Sequence, residues 1–168
     1  MTASLEDAFG HHIWATLQLL DDCVKLSAEQ LDTPMPAIYG TIRDTLRHLV
    51  GSDAWYLFVI TGGRVARIDE EPLDLAELRE VAERNARAWE ELVRAEPEPD
   101  TDVVAHHDDG SEGHSRMGIR LAQVLHHGTD HRSQVCTALT TLGIEPPAID
   151  VWDYGDSVGR VSDGPLEG

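Results

Sequence analysis

The chain has 168 residues, enough for one domain with a sizeable core, and its 41% hydrophobic and 26% charged residues are ordinary for a globular protein. Its 31 acidic and 13 basic residues leave a formal charge of −18, which repels phosphate backbones and anionic membrane surfaces and so argues against nucleic-acid and membrane partners. No apolar run approaches the ~20 residues of a membrane span, and Met1-Thr2-Ala3-Ser4-Leu5-Glu6-Asp7 has neither a basic nor an apolar signal region, so the expected compartment is the cytoplasm.

The first helical pattern runs from about Leu5 to Leu31, with Phe9, Ile13, Leu17, Leu20 and Val24 as its apolar stripe. Ser4 is placed to cap it, with Asp7 three residues on. Ser27, followed by Glu29 and Gln30, allows a separate short turn before Pro34 and Pro36 close the segment. The second pattern spans Thr41 to Thr61 and stops at Gly62-Gly63. Ile42, Leu46, Leu49, Leu57 and Ile60 form its core stripe. The opposite face reads Thr41, Asp44, His48, Ser52, Trp55, Val59. That face is small and polar, yet it bears a histidine and a tryptophan where a solvated face would carry Glu, Lys and Arg.

The third pattern, Asp74 to Ala95, is an ordinary amphipathic helix with Leu75, Leu78, Val81, Ala82, Trp89, Leu92 and Val93 inward, ended by Pro97 and Pro99. Residues 100 to 117 read as a small hairpin or irregular insertion with Asp109-Gly110 at its turn. The fourth helix, Gly118 to Leu142, stops at Gly143 and Pro146-Pro147. Beyond it, Val151, Trp152 and Tyr154 are expected to dock. With no internal repeat and no domain-sized linker, residues 1–160 form a single helical domain and 161–168 a frayed tail. Four long helices with little strand predict an all-α helix bundle. At ~3.3 Å per residue the 62–73 connection can cross such a bundle end to end, so a crossover topology is allowed.

Cys23 and Cys136 make no disulfide framework and read as small buried hydrophobes. The histidines are more informative. His127 and His131 are an i, i+4 pair, about 40° apart around the helix, whereas His126 lies about 100° to the other side. His48, on the small polar face of the second helix, supplies a third imidazole from a different element. Three protein ligands with a position left open is the arrangement of a catalytic metal. Three imidazoles suit Zn²⁺, and also Ni²⁺ or Fe²⁺. The alternative is a set of core histidines hydrogen-bonded to their neighbours. A carboxylate completing the set would be Asp44, with Asp130 in an outer shell. On the first helix, His12 with Thr16 is the histidine placed to face the site. His106, His107 and His114, among Asp108, Asp109 and Glu112, belong to a solvated loop.

The stretches Thr41-Ile42-Arg43-Asp44-Thr45-Leu46-Arg47-His48-Leu49 and Leu125-His126-His127-Gly128-Thr129-Asp130-His131-Arg132-Ser133-Gln134-Val135 resemble the second- and fourth-helix motifs of the DinB/YfiT-like metalloenzyme family. His11-His12-Ile13-Trp14 and the segment from Gly143 to Asp150 fit as well. His126 departs from the family's usual Asn, but it faces away from the histidine pair. The resemblance implies a four-helix bundle of up-down-down-up topology. It also implies one divalent ion per chain, zinc or nickel, on His48, His127 and His131, and a homodimer. Its activity would be a thiol-dependent S-transferase or isomerase, with bacillithiol, mycothiol or glutathione and an electrophilic substrate as partners.

The chemistry of an open metal position leaves two enzymatic readings. A bound thiol can be ionised for transfer, or a bound water can be acidified for hydrolysis. A third reading is a non-catalytic metal-binding stress-response protein. Asp44, roughly 6 Å along the helix from His48, is the candidate general base. Arg120, two turns before His127 on its face, is the candidate holder of a substrate carboxylate.

Overall fold

The computed structural model describes residues 2–36, 38–69, 71–162 and 164. It is mostly helical, with the elements α1 (Thr2–Cys23), α2 (Ala28–Asp32), α3 (Ile42–Ile60), α4 (Leu75–Arg94), β1 (Asp102–His106), β2 (Glu112–Arg116), α5 (Met117–Thr141) and α6 (Val151–Ser157). Local chemistry sets most of the starts. Thr41 and Asp44 form a reciprocal capping box on α3, and Asp74 with Glu77 does the same on α4.

The first segment departs from expectation. The helix α1 already runs at Thr2, so Ser4 lies inside it instead of capping it, and α1 ends at Cys23. Ser27 and Gln30 then build a capping box of their own and start α2 as a separate helix. Val24, expected on the buried stripe, is 44% exposed because the chain has left the helix by that point.

α1 packs against α4 and α5, and α3 packs against the same two helices. The core divides into two apolar clusters. One gathers Leu19, Leu20, Leu46, Val50, Leu78, Ala82, Val135 and Leu139. The other gathers Phe9, Leu57, Trp89, Val93, Leu121 and Val124, with Val103 of β1. Along all four long helices, buried polar residues stand between the clusters. They are His12 and Thr16 on α1, Asp53 on α3, Asn85 on α4, and His131 with Arg132 on α5. A polar layer therefore crosses the middle of the core, and it decides where the chemistry sits.

The predicted hairpin is present, with β1 and β2 antiparallel and Val104 opposite His114. Val103 and Ala105 are buried, and β2 runs directly into α5. Gly110 adopts φ +83° at the turn, which a side chain would disfavour. The C-terminal expectation needs correction. The segment from Asp150 forms α6, capped by Asp150 on the N–H groups of Trp152 and Asp153. Tyr154 packs on His11 and Trp14, but Val151 is 61% and Trp152 71% exposed. A helix of two turns offers only one face to the body, and Tyr154 and Gly155 take it. Of the tail expected to fray, residues 163 and 165–168 lie outside the described residues. Among the described residues, no helix is long and apolar enough to cross a membrane.

Candidate metal centre

His48, two turns into α3, meets His127 and His131 of α5 where these helices pack. One ring nitrogen from each lies within 4.8 Å of the others, and the group contains no fourth His, Cys, Asp or Glu among the described residues. The Nε2 atoms of His48 and His127 are 3.1 Å apart. Two imidazoles on one tetrahedral ion, each at about 2.0–2.1 Å, would stand ~3.3 Å apart. The His48–His127 pair is already near that separation, and the cluster can hold one divalent metal.

The outer contacts agree with that geometry. His131 Nδ1 donates to Gln134 Oε1 at 3.0 Å, which leaves the Nε2 lone pair directed away from that bond. Gln134 is three residues, about one helical turn, from His131, so the bond needs no long-range partner. Tyr39 stacks on His48, with centroids 4.2 Å apart and planes 16° from parallel, and meets His131 edge-on. Thr45 Oγ1 donates to the Tyr39 carbonyl and ties that loop to α3. Tyr56 meets the His127 ring edge-on on the other side.

Burial and neighbouring imidazoles keep His48 and His127 neutral. Burial, then the neighbouring His131 and His48, push His127 down to about 4, against small opposing effects of Asp53 and Asp130. Burial and His131 also lower His48. Metal ligation needs the unprotonated ring, so the site favours the ligating form before any ion arrives.

Behind the cluster runs a buried chain of charged and polar groups. His12 Nε2 bonds Asp53 Oδ2 at 2.8 Å, and Arg132 Nη1 donates to His12 Nδ1 at 3.1 Å and to Thr16 Oγ1 at 3.2 Å. His12, the first-helix histidine expected to face the site, bonds Asp53 and Arg132 and is not part of the three-histidine cluster. Burial lowers Arg132 to about 10, which still leaves it charged at neutral pH, and Asp53 acts to raise it. Gly128, between the two ligand positions on α5, makes room for this chain. A Cβ there would lie 2.5 Å from His12 Cε1 and 2.9 Å from Arg132 Nη1. Asp53 Oδ1 and His127 Nδ1 are both buried without a hydrogen-bond partner among the described residues. The sequence reading missed Asp53. The available signal was an acid set among Val50, Ala54 and Leu57, where an apolar residue is the norm.

The remaining candidates fall as follows. Asp44 is one turn from His48, and its Oδ2 accepts from the Thr41 backbone N–H and hydroxyl. Asp130 is exposed. His106 and His114 are exposed and pair with Glu112 and Asp102, apart from the cluster. Arg120 is half-buried, with its guanidinium over Trp55.

The two apolar clusters form a core that does not depend on the ion. Chelation is therefore expected to leave the helical circular dichroism spectrum intact and to lower the melting temperature. Saturation at 100 times Kd contributes about 2.7 kcal/mol, a shift of roughly 5–10 °C for a domain of this size. A random-coil spectrum after chelation would contradict this.

The DinB family model matches residues 1–161 of the chain. No curated protein matches it.

Proposed function

The chain belongs to the DinB family, and on that premise we propose that it is a divalent-metal-dependent enzyme of thiol chemistry. It would act as an S-transferase that joins a low-molecular-weight thiol to an electrophilic substrate, or as an isomerase that adds such a thiol and releases it again, with zinc or nickel as the ion. The observation that carries this is the convergence of three imidazole nitrogens from two helices, with no fourth protein ligand in the group among the described residues. A closed structural site would need that fourth ligand. Bound there, the ion supplies acidity, enough to ionise a thiol near neutral pH.

The chain's own residues supply the rest. Gln134 holds the His131 tautomer, and burial keeps His48 and His127 unprotonated. Tyr39 and Tyr56 flank the cluster on two sides and limit how a substrate approaches it. Asp44 is the proposed proton acceptor: Thr41 occupies its Oδ2, which leaves Oδ1 to take a proton. The order of the core clusters supports the up-down-down-up reading of the bundle. Residues of the Phe9–Trp89 cluster come first along α1 and α5 but last along α3 and α4.

The test uses cobalt-substituted protein. Adding glutathione, bacillithiol or mycothiol should produce a thiolate-to-metal charge-transfer band with one of them. That thiol should then react with an electrophile panel only when metal is present. Unchanged spectra with every thiol, together with ester or amide cleavage by the zinc form, would replace this reading with hydrolysis.

A further inference from the structure

Five arginines are buried or part-buried among the described residues, and four of them have partners. Arg43 pairs with Asp32, Arg79 with Asp21 and Glu83, Arg47 with the Leu73 carbonyl, and Arg132 with His12 and Thr16. Arg120 has no hydrogen-bond or carboxylate partner among the described residues, and its Nε is buried and unsatisfied. In a chain with 31 acidic residues this is a costly arrangement for the folded protein alone. Burial lowers Arg120's affinity for its proton, and only Tyr56 opposes that.

Its position gives the unpaired charge a use. Arg120 precedes His127 by seven residues on α5, two turns along the same face and on the order of 10 Å along the axis. An aromatic path joins the two. The guanidinium lies 5.7 Å from the centre of the Trp55 ring. Tyr56, the next residue, accepts a hydrogen bond from Gln123 Nε2 at 3.3 Å and sets its ring 5.9 Å from that of His127. The Trp55 ring lies within cation–π range of the guanidinium and takes none of its N–H groups, which leaves the fork for a planar acceptor.

We infer that Arg120, with Trp55 and Tyr56 beside it, is an anion subsite that takes the carboxylate of a ligand whose other end reaches the three-histidine centre. The inference rests on the open coordination position proposed above. A single guanidinium with no second cation in contact matches a monoanionic carboxylate, which it binds through two parallel hydrogen bonds. The ligand class is therefore an elongated organic acid with a metal-seeking group about 10 Å from its carboxylate. That requirement selects among thiols and electrophiles: one of the two carries a free carboxylate at this reach.

The test uses probes that need no thiol chemistry. Monohydroxamates of the straight-chain dicarboxylic acids, from succinic to sebacic, and their methyl esters are titrated into cobalt-loaded protein and followed by its visible spectrum. The hydroxamate end reports the open metal position, and the ratio of acid to ester affinity reports the subsite. At the best length the acid should bind at least 10-fold tighter than its ester. Arg120→Gln should bring that ratio to about 1 with cobalt content unchanged, and Arg120→Lys should keep part of it. Equal affinities of acid and ester at every length, or a ratio that survives Arg120→Gln, would overturn the subsite and leave the metal reading standing. Failure of every hydroxamate, acid or ester, to change the cobalt spectrum would overturn the open position and the subsite with it.

Discussion

His127→Ala protein, purified without chelator, is expected to hold almost no divalent metal. His127 approaches both other ligands: its Nε2 is 3.1 Å from that of His48, and its ring centroid is 4.4 Å from that of His131. Removing it leaves two imidazoles on different helices, with no carboxylate or thiolate in the group to replace it among the described residues. The loss should exceed the 10–100-fold in affinity that removing an outer-shell partner costs. His48→Ala and His131→Ala should behave alike. His106→Ala and His107→Ala should keep full metal content, because those rings lie out on the hairpin. Elemental analysis of the five proteins decides the matter, and full occupancy in His127→Ala would remove the centre as described.

Asp53→Ala is expected to cost about 3–5 kcal/mol of stability, the range for removing one member of a buried charged pair. The carboxylate is buried and holds His12, which in turn accepts from the buried guanidinium of Arg132. Without Asp53 the buried Arg132 charge loses the carboxylate that favours it. Denaturant unfolding of the apoprotein measures the effect free of any metal contribution. Asp53→Asn should cost less, since an amide oxygen can still accept from His12 Nε2. A change below about 0.5 kcal/mol in Asp53→Ala would show that the polar layer adds nothing to stability. Part of the cost should be recovered by replacing Asp53, His12 and Arg132 together with apolar residues of similar volume, as happens when a whole buried ionic group is removed.

Most of the helical scaffold and the histidine trio were legible in the sequence because both rest on short spacings. Capping boxes act over three residues, and a helix brings i and i+4 onto one face wherever it lies in the fold. Thr41 with Asp44, Asp74 with Glu77, and His127 with His131 are therefore readable without knowing the packing. The small polar face around His48 was equally local. The first segment was legible in part: Ser27 with Gln30 marked the separate α2, whereas a stripe carried on to Val24 hid the end of α1 at Cys23. What only the tertiary structure decided are the pairings between distant positions. His12 meets Asp53 across 41 residues and Arg132 across 120. Gly128 is needed because His12 of another helix fills the space its side chain would take. Arg120 stands out because no carboxylate comes to it among the described residues. Hydrogen bonding between helices follows from which faces pack together, and local periodicity sets each face without choosing its partner.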